Sequence, residues 1–302
     1  MIEKSFLKGA YDLHIHAGPS VANRLVDAGD MMKSAMEVGY KGFLVKDHYM
    51  PSADACLMVE KFVGDGSCKA FSSIAMNNSV GGFNIMALDA AYNMGTRMVY
   101  MPTVSSRLHI DGHKGKKFTG SGNMNTIELE KPMYILDANG KVIPECVEVL
   151  KYAADKKDLT VSSGHMTWQE TDAMIEKAFA LGVKNIVVNH ASYQVNAPVD
   201  VIARWAKNGV WIEVTCCEFG QVIWDDDTRF NSIYLLRDYM DHDVPFDHVF
   251  ISSDFGQSIS PHPIDGMLKF LNLLNDWVKI DEDTLAMMIK TNPAKIMNQD
   301  AE

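Results

Sequence analysis

Tyr11-Asp12-Leu13-His14-Ile15-His16 alternates polar and apolar side chains over the length of one β-strand. Alternation predicts Asp12, His14 and His16 on one face, and in a small barrel that face points inward. Two imidazoles placed so can reach one metal ion. An H-x-H pair alone is a weak signal, because histidines on strands are common. Its weight depends on the fold and on where the other histidines fall. The stretch that follows, Ala17-Gly18, is not a G-x-G-x-x-G phosphate turn, which disfavours an open nucleotide-binding sheet.

Working outward, short β-branched runs alternate with longer segments whose apolar residues recur every three to four positions. Strands are predicted at Tyr11–His16, Gly42–Asp47, Ala70–Met76, Met98–Pro102, Leu159–Ser163, Asn185–Asn189, Val210–Thr215 and Val249–Ser253. Helices are predicted at Asp27–Val38, Ala53–Val63, Asn84–Met94, Pro144–Ala154, Gln169–Ala180, Pro198–Lys207, Ser232–Met240 and Pro263–Leu274. Asp281–Lys290 and Asn292–Asn298 read as closing helices, with Asp281 or Asp283 as caps and Pro293 suited to a first helical position. Eight strand–helix units predict an α/β fold, a (β/α)8 TIM barrel, over residues 1–302 as a single domain. Only the span from Pro102 to Ser163 is too long for one unit, so residues 103–143 are read as an insertion after the fourth strand. It is rich in Gly, Asn and Lys, and Asp137-Ala138-Asn139-Gly140 is a turn signal, which predicts a rim loop or lid with hairpin character.

Of the 302 residues, 47% are hydrophobic and 22% charged, which excludes disordered, collagen-like and coiled-coil classes. The net charge of −11 disfavours a nucleic-acid or anionic-membrane surface and points to a small-molecule partner. Five cysteines without a C-x-x-C pair fit reduced thiols, and twenty methionines fit core filler. Met1–His16 has no apolar core of signal-peptide length, and no run of about 18 apolar residues occurs. A cytoplasmic homo-oligomer is therefore expected.

Chemistry-bearing residues fall at strand ends. Lys46 and His48 end the second strand, Gly164-His165 the fifth, Asn189-His190 the sixth and Ser253-Asp254 the eighth. Barrel active sites are assembled at that rim from several strands. Five of the ten histidines (His14, His16, His48, His165, His190) would thus converge on one place.

With these positions in hand, the chain resembles the amidohydrolase superfamily of metal-dependent hydrolases over nearly its whole length. The resemblance is carried by Asp12-Leu13-His14-Ile15-His16, His165, His190, Asp254 and the closing Thr291-Asn292-Pro293-Ala294-Lys295. Lys46-Asp47-His48-Tyr49 and Ser253-Asp254-Phe255-Gly256 are similar to an uncharacterised branch. The resemblance implies that His14 and His16 hold a more buried metal and His165 and His190 a more exposed one, while Asp254 touches the first metal and acts as general base. A divalent ion acidifies its water and polarises a carbonyl or phosphoryl oxygen. Zinc is the expected metal; manganese, iron and nickel suit the same donors. One or two ions fit.

Many two-metal members carry a bridging carboxylated lysine or a glutamate on the fourth strand, but here that strand ends Tyr100-Met101-Pro102-Thr103. Lys46 either bridges as a carboxylated lysine, or stays a cation for a substrate anion beside one metal with His48 as ligand or acid. Glu213 has the parity to face inward and support a ligand histidine, or else it pairs toward a helix. Cys216 and Cys217 read as small buried hydrophobes more readily than as thiolate ligands. Arg107 is a candidate carboxylate clamp within a basic stretch that includes His109, His113, Lys114, Lys116 and Lys117, and Tyr49, Asn77 and Asn78 could orient a substrate. The expected reaction is hydrolysis of a small amide or cyclic amide, with an ester or lactone next. The alternatives are a metal-dependent decarboxylase or other lyase on the same barrel, and a non-catalytic metal-binding protein.

Overall fold

The computed structural model describes residues 1–114, 130–192, 195–219 and 233–298. All eight predicted strands form: β1 (Tyr11–Ile15), β2 (Gly42–Val45), β3 (Lys69–Ala75), β4 (Thr96–Tyr100), β5 (Thr160–Ser162), β6 (Ile186–Val188), β7 (Trp211–Thr215) and β8 (Val249–Ser252). Each pairs in parallel with its sequence neighbour, giving the order β1 to β8 in one sheet. The sheet curls shut where β1 meets β8. His16 N–H donates to Phe255 O and Asp254 N–H to His14 O, each at 2.8 Å, and Ile15 bridges Phe255. This is the (β/α)8 barrel.

Helices cover the outside: α1 (Ala28–Val38), α2 (Ala53–Phe62), α3 (Ile85–Asn93), α4 (Arg107–Gly112), α5 (Pro144–Ala154), α6 (Trp168–Leu181), α7 (Val199–Lys207), α8 (Ile233–Asp241) and α9 (Pro263–Leu273). Outward strand residues such as Phe43, Ile74, Val99, Val161, Ile212 and Ile251 pack under them. Inward residues Leu13, Leu44, Phe71, Met98, Trp211 and Phe250 form a separate core, plugged from the amino-terminal side by Ala294 and Ile296 of the short closing helix α11 (Asn292–Ile296) and by Met297 just past its end. Thr160 Oγ1 donates to Ile296 O, and Asn292 Nδ2 donates to Val249 O, tying the plug to the strands. The preceding segment forms the predicted helix with a π turn inside it: α10 (Glu282–Ala286), capped by Asp281, continues through the π turn at Met287–Thr291 into α11 without a break.

The predicted alternation in β1 needs correction. Pairing with β2 shifts register between Asp12 and Ile15, and an extra residue in a strand reverses which side chains face the core. Tyr11 and Leu13 face inward below the irregularity, and His14 and His16 face inward above it. Asp12 therefore does not share their face. Its Oδ1 instead accepts from the His14 and Ser253 N–H groups, at 3.2 and 2.9 Å, at the β1/β8 seam.

Beyond β4, within the span predicted as a rim loop, the chain forms α4. Lys116 and Lys117 lie outside the described residues. Further on, Leu136 bridges Val142 antiparallel around the Asp137–Gly140 turn, where Asp137 N–H donates to Lys141 O at 2.8 Å.

Candidate metal centre

The strands stop up to two residues short of their predicted ends, so the polar residues sit on segments that leave the sheet at its carboxyl rim. Two of these residues, His190 and Asp254, hold left-handed backbone conformations, each at φ 53°. Non-glycine residues seldom adopt that region, and such strain concentrates at functional sites. Gly164 and Gly256 allow close approach beside the site. A Cβ on Gly164 would lie 2.3 Å from Met101 O, and one on Gly256 2.5 Å from His16 O.

The structure brings His14, His16, Lys46, His48, His165, His190, Glu213 and Asp254 together, all buried. Five imidazoles form a ring in which neighbouring centroids are 4.9–5.6 Å apart, in the order His14, His16, His48, His165, His190. Asp254 lies against three of them. Its Oδ1 is 3.1 Å from His14 Nε2 and 2.9 Å from His16 Nε2, and its Oδ2 is 3.5 Å from His190 Nε2. Lys46 Nζ is 2.9 Å from His14 Nε2 and 4.7 Å from the centre of the Tyr100 ring. On the far side of His14, Nδ1 is 3.0 Å from Glu213 Oε1, which also accepts from Ser252 Oγ at 2.6 Å. Glu213 thus faces inward, and a carboxylate on Nδ1 fixes the tautomer that presents Nε2 to the centre.

Burial dominates the electrostatics. It lowers the pKa values of His14, His48 and His165, and brings that of His16 to about 3, so these imidazoles are neutral and keep lone pairs for a cation. Burial also lowers that of Lys46, opposed by the charges of Asp254 and Glu213. For Asp254, burial acts to raise the pKa, but its contacts with His14, His16 and His190 outweigh it and hold the carboxyl well below the ordinary carboxylate range. Asp12 is the opposite case: burial raises it to about 7 despite the Ser253 and His14 hydrogen bonds.

Among the described residues, two donor groups could hold a metal, His14 with His16 and Asp254, and His190 with Cys217 and Asp254; within each, the donor atoms lie within 4.8 Å of one another. The fit is supported by orphaned donors. His165 Nε2 and His16 Nδ1 are buried without a hydrogen-bond partner among the described residues.

One rim residue, Arg24, stands outside the sequence-predicted set. Arg24 has a side chain only 4% exposed, and its Nη2 lies 3.5 Å from Asp47 Oδ2. Arg24 Nε and the hydroxyl of Tyr49 make no hydrogen bond to described residues, although both are buried. Asp47 is itself fixed by Ser20 Oγ at 2.5 Å and the Tyr49 N–H at 2.8 Å. Arg24 stands eight residues past His16 in a loop without periodicity; only the pairing of that loop with Gln257 brings it back. His109 on α4 stacks on His165, with ring centroids 5.4 Å apart. Asn77 positions His48, donating to His48 O at 2.7 Å and to Thr103 Oγ1, which lies 3.0 Å from His48 Nδ1. Arg107, by contrast, lies exposed on α4, bonded to Asp111 and over the Tyr134 ring. Asn78, also exposed, donates to Glu130 Oε1.

Solved structures share this architecture. An amidohydrolase from Pseudomonas aeruginosa superposes with a TM-score of 0.63 at 12% identity, covering 98% of this chain and 97% of its own. A candidate 2-pyrone-4,6-dicarboxylic acid hydrolase from Pseudomonas putida gives 0.57 at 12% identity, covering 97% and 99%. The phosphotriesterase homology protein from Escherichia coli, solved with phosphate in its active site, gives 0.54 at 15% identity, covering 96% and 99%. At these identities the likeness is one of fold. Comparison with curated proteins found no match. A family model of unknown function matches residues 9–213, from β1 through Glu213. On a barrel whose fold it shares with amidohydrolases, the chain belongs to that family of unknown function, DUF6282.

Proposed function

We propose that this chain is a metal-dependent hydrolase acting on a small anionic amide or cyclic amide, with an ester or lactone as the next choice. The observation that carries the reading is Asp254: one buried, ionised carboxylate within 3.5 Å of three imidazole nitrogens from β1 and β6, at the rim where barrels build their sites. His14, His16 and Asp254 would hold one divalent ion, and His165 and His190 a second, zinc being favoured and manganese, iron and nickel also suited. Such an ion polarises a scissile carbonyl and acidifies water. Asp254 takes the proton from the attacking water and passes it to the leaving group. Glu213 keeps His14 oriented through Nδ1.

Lys46 sits against His14 Nε2, and burial favours its neutral amine, the form that adds carbon dioxide. We assign it a bridging carbamate. Recognition of the substrate anion falls to Arg24, held beside Asp47, and to Tyr49, each with a buried polar atom that has no hydrogen-bond partner among the described residues. Arg107 contributes long-range attraction from the rim. No helix among the described residues is long and apolar enough to cross a membrane.

The test is elemental analysis of protein purified without chelators, followed by a panel of amides, lactones and carboxylates. At least about one equivalent of transition metal per chain and consumption of water are expected. Less than about half an equivalent would sink the proposal; release of carbon dioxide in place of hydrolysis would move it to the lyase class. Lys46→Ala should lower the metal stoichiometry, and an unchanged value would remove the bridge.

A further inference from the structure

The group formed by His190, Cys217 and Asp254 contains a sulfur that the hydrolase reading does not use. Of the two adjacent cysteines, Cys216 behaves as the sequence suggests. It is fully buried, its sulfur 3.9 Å from Met267 Sδ in the layer between barrel and helices. Cys217 turns the other way. Its Sγ lies 2.6 Å from Asp254 Oδ2, the same oxygen that approaches His190 Nε2.

The surroundings hold these three donors in register. The Cys217 N–H donates to Ser253 O at 3.1 Å, pinning its backbone to the residue before Asp254. Thr215 Oγ1 lies 3.4 Å from His190 Nδ1 and 3.5 Å from Cys217 Sγ. With His190 donating from Nδ1 to that hydroxyl, Nε2 keeps its lone pair on the Asp254 side. A further donor stands close by: His165 Nε2, buried and without a hydrogen-bond partner among the described residues, belongs to a ring 5.5 Å from that of His190.

We propose that Cys217, with Asp254 beside it, binds as a thiolate to the ion assigned above to His165 and His190, which makes this position selective for a thiophilic divalent ion such as zinc or cobalt over manganese or magnesium. The proposal rests on the metal-dependent reading above. As the sulfur–metal bond forms, the thiol proton leaves to solvent, and Asp254 exchanges the S–H contact for the ion.

Cobalt(II), titrated into the chelator-stripped full chain, separates the possibilities, because thiolate ligation gives an intense near-ultraviolet charge-transfer band that nitrogen and oxygen donors do not. The band is expected in the wild type and in Cys216→Ser, and its complete loss in Cys217→Ser, with the weaker visible cobalt bands retained. Zinc should also slow iodoacetamide labelling of Cys217 in the wild type at least about tenfold, a readout that needs no variant to fold. Cobalt bound without the band, a band that survives Cys217→Ser, or labelling indifferent to zinc overturns the thiolate and leaves the hydrolase reading standing. Failure to bind cobalt at all overturns both.

Discussion

The interior of the barrel has two halves, equally dry and chemically opposite. Toward the amino-terminal end, Leu13, Leu44, Phe71, Met98 and Phe250 meet the α11 plug with no charged group among them. Toward the carboxyl rim, the same strands carry His14 and His16, Lys46, Glu213 and Asp254, as deeply buried as the leucines. On β2, β7 and β8 the change takes a single inward step: Leu44 then Lys46, Trp211 then Glu213, Phe250 then Ser252 and Asp254. The apolar half lowers the free energy of folding as its surface leaves water, by about 1.5–3 kcal/mol for each large side chain. Buried charges do the reverse, at several kcal/mol per ion before pairing. A chain selected for stability alone would carry the apolar pattern to the rim. Retaining a lysine, two carboxylates and five imidazoles there is the signature of a site whose return lies in binding and chemistry.

The contrast is broken most severely at Asp254. Asp254→Asn removes the base and a metal ligand, so turnover on the best substrate in the panel should fall by about 10²–10⁴-fold. Relief of a buried charge should leave the melting temperature unchanged or raised. A variant that loses activity only because it unfolds would show the reverse, and thermal melting separates the two. In the other half, Phe250→Ala opens a cavity against Leu13 and the plug. It should cost about 3–5 kcal/mol in urea unfolding while leaving metal content per folded chain as it was. Loss of metal from folded Phe250→Ala would mean that the halves are not separable.

The two halves were also unequally legible. Strand periodicity and the spacing of strand ends gave the barrel, because both are local and repeat eight times. His14, His16, His165, His190 and Asp254 were legible for the same reason, each sitting at the end of a recognisable strand. What escaped depends on chain reversal and register. The face of Asp12 was misassigned because an irregular residue in β1 reverses parity without any glycine or proline to announce it. Arg24 was missed because its loop returns through backbone pairing with Gln257 and Gly256, which leaves no side-chain pattern. Cys217 was read with Cys216 as a hydrophobe, and only the turn after β7 sets their sulfurs on opposite sides.

The smallest effects sharpen the comparison by setting a buried arginine against an exposed one. Arg24 has 4% of its side chain exposed, stands beside Asp47 and retains an orphaned Nε, so its charge is already desolvated before a ligand arrives. A charge-assisted hydrogen bond of about 1.5–3 kcal/mol is then available to a carboxylate, and Arg24→Met should raise KM for anionic substrates by about 10–100-fold with kcat little changed. Asp47 keeps its bonds to Ser20 and to the Tyr49 and Met50 N–H groups, so the loop should stay folded. Arg107 has 58% of its side chain exposed and already pairs with Asp111. Water and salt screen a charge placed there, so it can attract an anion from a distance but cannot hold it. Arg107→Ala should therefore lower kcat/KM by about twofold at low ionic strength and leave it unchanged at high salt. A loss for Arg107→Ala that is large and persists in salt would move anion recognition from the buried half to the rim, and with it the assignment of Arg24.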